Sequence, residues 1–360
     1  MPLSSPSPSL GLRVGDWVQV REHDEILQTL DANGRLQELP FMPEMLPYSG
    51  KRFQVRRRIH KLCDTVWSTG GRELPDAVLL DDLRCHGADY GGCEMRCLMI
   101  WKEAWLTRVD GPFTSQPAPN PADPRLVQLV KANTRKAGEG SDDDPTYVCQ
   151  ATQIPAATRH LPWWRLGQYF DDYRSGNVTV QQVLSRLFIA AYAKLAGAGL
   201  GIGYPMRQAY EWISRRSLGE TYPFRPGHLP LGGPTPASRL ELQVGETVRV
   251  KDPDAILATV DEGLFNRGMC FHAEMMPYAG KTFRVAQRVS RLINEKTGKL
   301  GVLKNSCLVL EGVGCNGRFT TPLNCPRLSY PYWREVWLER TETSPAAGAR
   351  ARPTAPRPAG

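Results

Sequence analysis

Seven of the nine cysteines fall into two clusters, Cys63, Cys85, Cys93 and Cys97 in the first third of the chain and Cys307, Cys315 and Cys325 near its end. Four thiolates converging from strand ends and turns are what a tetrahedral zinc site uses. Here the glycines between them (Gly87, Gly91, Gly92, Gly317) let a backbone wrap closely. Polar neighbours such as Arg84, His86 and Arg96 argue against ordinary core cysteines, although free cysteine is often just a small buried hydrophobe. The spacing, with 21, 7 and 3 residues between successive members of the first cluster, is not that of a standard zinc ribbon. His60 or His86 could stand in for one cysteine there. The second cluster lacks a fourth member, which His272, Cys270 or water would have to supply; an open position is also what a catalytic zinc needs.

Two repeated acid and base positions form the next candidate. Glu44 and Glu274 are acidic residues repeated inside apolar stretches, and Arg58 with Arg288 and Lys51 with Lys281 are the repeated cations. A buried Glu44–Arg58 pair, with Glu274–Arg288 as its counterpart, would pin a loop to its scaffold; the functional alternative is a carboxylate facing a pocket. The run Arg56-Arg57-Arg58 with His60-Lys61 suits phosphates, yet the second copy reads Ala286-Gln287-Arg288. Trp101 and Trp105, like Trp333 and Trp337, are spaced for one face of a strand, either as core or as a stacking platform for bases. No phosphate-binding Gly-rich loop, dinucleotide fingerprint, His-Glu-x-x-His or nucleophile elbow is present. Of six histidines only His272 lies in the second copy, which argues against a duplicated His-dependent active site.

The elements that must position these residues occur twice. Val14-Gly15-Asp16-Trp17-Val18-Gln19-Val20 returns as Val244-Gly245-Glu246-Thr247-Val248-Arg249-Val250, an offset of 230 that holds from Val14 to Cys85, paired with Cys315. Beyond it the second copy gains two residues, so Cys93 matches Cys325 and Trp101-Lys102-Glu103 matches Trp333-Arg334-Glu335. Such self-similarity reads as a duplication. Within each copy the pattern predicts four to six short strands, an early helical turn after an acidic cap, and a closing strand, which fits a small SH3-like barrel.

The expected organisation is a disordered tail (1–11), a first barrel (12–110), a Pro/Gly/Asp linker (111–145), a helical domain (146–222), a second linker (223–240), a second barrel (241–341) and a disordered Pro/Ala/Arg tail (342–360). The fold class is thus mainly β with α, two homologous barrels flanking helices. In the helical part, Trp163, Leu166, Phe170 and Tyr173 share one helical face. Thr179 to Gln182 is a capping box, opening a helix with a buried stripe of Val183, Leu184, Leu187, Ala191 and Leu195.

Composition is that of an ordinary globular chain, 41% hydrophobic and 23% charged over 360 residues. The net charge of +8 favours anionic partners, nucleic acid among them, though Arg350, Arg352 and Arg357 in the tail carry part of it. The N-terminus has neither the basic start nor the apolar run of a signal peptide, and Leu187 to Gly203 is too short and broken to span a bilayer. A cytoplasmic location, with reduced thiols and no membrane partner, is the expectation.

The segments Cys307-Leu308-Val309-Leu310-Glu311-Gly312 and Tyr330-Pro331-Tyr332-Trp333-Arg334-Glu335-Val336-Trp337-Leu338, with His60-Lys61-Leu62-Cys63-Asp64-Thr65 in the first copy, resemble a family of uncharacterised bacterial proteins. The resemblance implies no activity. That family's pattern leads one to expect a histidine near Tyr90 or Thr320, and neither place has one. The leading expectation is a non-catalytic, zinc-stabilised tandem-barrel protein that binds a protein partner or an anionic polymer. The alternative is a metal-dependent enzyme of a biosynthetic pathway, using the second cysteine set with the helices as a lid.

Overall fold

The structure is a computed structural model that describes residues 9–112, 123–141, 143–196, 203–217 and 222–341. The tail expected at 342–360 lies outside them.

Strand β1 (Trp17–Val20) alternates half-buried and buried residues, the signature of a sheet with one face on a core. It sits between β2 (Arg52–Arg58) and β7 (Leu106–Val109), and β2 continues to β5 (Ala77–Arg84) and β6 (Leu98–Lys102), giving the order β6-β5-β2-β1-β7. Between β2 and β5 run two short strands, β3 (Lys61–Cys63) and β4 (Gly71–Glu73). They form a separate small sheet whose third member, β8 (Arg159–Leu161), comes from the middle of the chain.

The second half repeats the plan with β9 (Thr247–Val250), β10 (Thr282–Ile293), β11 (Leu300–Leu310) and β12 (Leu338–Arg340), in the order β11-β10-β9-β12. Registers match across the offset read from the sequence. Val18 faces Phe53 and Arg108, and Val248 faces Phe283 and Arg340; Arg58 faces Val78, and Arg288 faces Leu308. The result is two curled half-barrel sheets in a mixed α/β molecule. Each core is centred on the same aromatic triad. Phe41 lies edge-on to Trp101 and Trp105 at 6.1 and 5.2 Å, and Phe271 to Trp333 and Trp337 at 6.1 and 5.2 Å. All four tryptophans are sealed from solvent, so their use is packing, not base stacking.

The middle of the chain differs from the linker expected at 111–145. Within 111–145 lies a helix, Pro124–Ala132, started by Asp123, which accepts from Arg125 N, and by Pro124 in the first turn. Its Leu126 and Val130 enter the first core, which is why a segment bounded by linker-like residues folds. A second helix, Gln150–Ala157, adds Ala151 and Ile154 to that core, and Gln150 clamps β6 by exchanging hydrogen bonds of 2.8 Å with both backbone groups of Ile100. Counting the short α1 (His23–Leu27), α2 (Pro124–Ala132) and α3 (Gln150–Ala157) before them, three further helices follow, α4 (Gly167–Arg174), α5 (Val180–Ala196) and α6 (Gly203–Ser217). The capping box of α5 forms as read: Gln182 N donates to Thr179 Oγ1 and Thr179 N to Gln182 Oε1. Its inward stripe differs. Val183, Ile189 and Ala196 are buried, whereas Leu184 is 62% and Leu195 48% exposed. Among the described helices, none is long and apolar enough to cross a membrane.

Candidate anion-binding site

The repeated acid–base pairs exist with different acids. Arg58 pairs with Glu103, not Glu44, and Arg288 pairs with Glu335, not Glu274. Each of these glutamates also gathers three consecutive backbone amides, Leu10 to Leu12 on Glu103 and Leu240 to Leu242 on Glu335. The signal was present in the sequence as Trp101-Lys102-Glu103 and Trp333-Arg334-Glu335, where a carboxylate follows a core tryptophan. Glu103 also ties down Ser9 to Gly11, within the stretch 1–11 expected to be a disordered tail.

Glu44 and Glu274 are buried but stand elsewhere. Burial raises the pKa of both carboxyls. Glu44 receives the Cys85 thiol at 3.7 Å through Oε1, and its Oε2 is buried with no partner. Glu274 accepts backbone N–H bonds from Asn316 and Phe319, so it fixes the loop that carries Arg318.

The cysteines sort differently from their order in the chain. Cys85, Cys93 and Cys97 share a small apolar cavity with Cys149 from the helical segment, not with Cys63. Burial pushes their thiols up, to about 12 for Cys97 and about 11 for Cys149. Cys63 lies against the second half: its N–H donates to Cys325 Sγ at 3.3 Å, and the two sulfurs are 3.5 Å apart. The hydrogen bond from Cys325 lowers the Cys63 pKa to about 7, helped by the Arg327 guanidinium. Cys315 belongs near this pair, with burial pushing it to about 12. Cys307 is a core residue of β11, packed with Val289 and Val309. Among the described residues, no three His, Cys, Asp or Glu side chains are grouped so as to hold a metal ion.

The exchange of Cys63 has a mirror image. Ile293, 230 positions on from Cys63, donates its N–H to Sγ of Cys93, the counterpart of Cys325. Glu94 likewise reaches across, accepting from Ser290 N and Arg291 N. Thr65 meets Glu295, its own counterpart. Reciprocal contacts of this kind define a two-fold interface, here inside one chain.

A buried polar hub joins this seam to the helices. Asp172 of α4, fully buried, accepts from Lys61 Nζ at 2.7 Å, His60 Nε2 at 3.0 Å and Asn324 Nδ2 at 2.8 Å. Asn324 in turn accepts from Arg186 of α5 at 2.7 Å. Neither Asp172 nor Asn324 was singled out in the sequence, since each has its partners more than a hundred residues away.

Arg186 opens into a cavity of about 770 Å³ between the first turn of α5, β2 and the loop 316–328. Its wall carries Arg57, Arg186 and Arg318 with Asn177, Thr179, Ser185 and Asn316, and none of the described lining residues is acidic. Burial lowers the pKa of Arg57, with repulsion from Arg56 adding to it. For Arg186, burial again dominates; Glu274 behind the wall opposes it, and Arg318 and Arg57 reinforce it. An anion in the cavity would ease the repulsion among these half-buried guanidiniums, which Glu274 and Asp172 already offset in part at Arg186. The first-turn amides of α5 add the positive end of a helix. Of the sequence candidates, Arg57 belongs here through the Arg56–Arg58 run, and Glu274 through the loop it holds.

Comparison with protein-family models, curated proteins and solved structures finds no match.

Proposed function

We propose that the chain is a non-catalytic binding protein whose two half-barrels, read as SH3-like scaffolds, and central helices together hold a compact anionic ligand, best a phosphate-bearing one. The observation that carries this reading is the cavity wall with three arginines and no described acidic residue. Its volume suits a small molecule, within the range of about 300–1,000 Å³ usual for ligand sites, and not a polymer lying across a surface. Guanidiniums match phosphate oxygens in paired geometry, and partial burial strengthens each contact. Zinc has no part in this reading, because among the described residues no three His, Cys, Asp or Glu side chains are grouped so as to hold a metal ion.

Inorganic pyrophosphate is the first probe. Calorimetric titration should show binding that weakens with salt, and Arg57→Ala should reduce affinity at least about tenfold, the loss expected for one charged hydrogen bond. Arg57 is the cleaner position, since Arg186 also holds Asn324 while Arg57 donates to the carbonyl of its neighbour Arg56. Equal affinity in wild type and Arg57→Ala, or no binding in wild type, would remove the proposal.

A further inference from the structure

The pair Cys63 and Cys325 lies 262 residues apart in sequence. The sulfurs approach to 3.5 Å, with the Cys325 thiol directed at Cys63. A disulfide needs about 2.05 Å, a closure of about 1.5 Å from this separation. The two residues approach from different sides. Cys63 ends β3 and is half-buried, while Cys325 contributes to the wall of the arginine cavity. Arg327, held by Thr65 at 2.7 Å and Glu295 at 2.6 Å, keeps a guanidinium close enough to favour a thiolate at Cys63. The position 230 residues on from Cys63 is Ile293, so the mirror contact to Cys93 has no second sulfur. One side of the seam can therefore be bridged and the other cannot.

We infer that Cys63 and Cys325 form a reversible, oxidant-responsive dithiol site that covalently joins the two half-barrels. With hydrogen peroxide as oxidant, the Cys63 thiolate attacks one oxygen, breaks the O–O bond and leaves as a sulfenic acid, releasing hydroxide. The Cys325 thiol then loses its proton and its sulfur displaces the hydroxyl from Cys63. Two thiols and one peroxide become one disulfide and two waters. Reduction by a small thiol reverses it through a mixed disulfide. This inference is independent of the anion reading: either can fail alone.

The test is peptide mapping of the full wild-type chain, treated with hydrogen peroxide, unfolded, and alkylated without reduction. The expected product is a cross-linked peptide pair containing Cys63 and Cys325, with loss of two hydrogens from the intact mass and restoration by dithiothreitol. In Cys325→Ser the link disappears, and dimedone should trap Cys63 as its sulfenic acid. Alkylation of both residues at the untreated level after peroxide, or a link from Cys63 to another cysteine, overturns the inference. The wild-type map decides it even if a variant does not fold.

Discussion

Glu103 and Glu44 show how differently two buried carboxylates in one half-barrel can act. Glu103 is 2% exposed, neutralises Arg58 and caps three amides, so every lone pair has a donor. Glu44 has one orphaned oxygen and a carboxyl that burial pushes toward the neutral form. Glu103→Ala should therefore cost about 3–5 kcal/mol, the loss expected when a buried pair is broken. Glu44→Gln, which removes little that is satisfied, should stay within about 1 kcal/mol. Urea unfolding of both variants checks the contrast; comparable losses would refute it. His272 gives a second residue-scale expectation. Burial lowers its pKa to about 4 from an ordinary 6.5, so the folded chain holds this ring neutral. Between pH 6.5 and 4 the unfolded chain binds the proton first, so stability contributed above 6.5 is lost as the pH falls through that window. The slope from this group cannot exceed about 1.4 kcal/mol per pH unit. His272→Gln should flatten the acid side of the stability profile by that amount or less, and an unchanged profile would show that another group governs it.

At the scale of elements, local periodicity carried most of the strand pattern, because alternation along Trp17–Val20 has only one way to meet a core, whereas Arg52–Arg58 is broken by a bulge between Val55 and Arg57. The capping box of α5 was legible for the same reason: Thr179 and Gln182 satisfy each other without outside help. Which side of α5 faces inward was not legible, because both sides are apolar. Val180, Leu184, Phe188 and Leu195 are 48–66% exposed, while the buried Ile189 stacks inward with Tyr210 and Tyr222. Hydrophobic spacing cannot choose between two such stripes; the polar hub does, since it fixes Arg186 toward Asn324. Ile189→Ala should therefore cost about 2–5 kcal/mol, the range for emptying a packed site. Leu184→Ser and Phe188→Ser should each fall within about 0.5 kcal/mol, as exposed changes do. Thermal unfolding of the three variants distinguishes the faces, and a large loss at Phe188 would show that the exposed stripe is covered. The position of Cys63 was hidden for a related reason. Spacing along the chain groups it with Cys85, but β3 leaves the main sheet and projects toward the other half.

The whole molecule is held together at the seam where three segments meet on Asp172. Lys61 comes from the first half, Asn324 from the second, and Asp172 itself from the helices, all three buried. Such a centre makes the molecule one cooperative body only if the ion pair outweighs the cost of burying it. Burial already lowers the Lys61 pKa, with Asp172 acting in the opposite direction. Removing the carboxylate in Asp172→Asn leaves the ammonium buried without its hydrogen-bonded counter-charge, and about 3–5 kcal/mol should be lost near neutral pH. The remedy available to the variant is to shed the proton. Its folded pKa then lies further below the ordinary lysine value of 10.5, so across that interval the unfolded chain binds more protons than the folded one. Stability of Asp172→Asn relative to wild type should consequently recover as the pH is raised from about 7 to about 9.5. Urea titrations at both values measure it. An equal loss at both would mean that Lys61 finds another partner or reaches water, and that the seam is held by apolar packing alone.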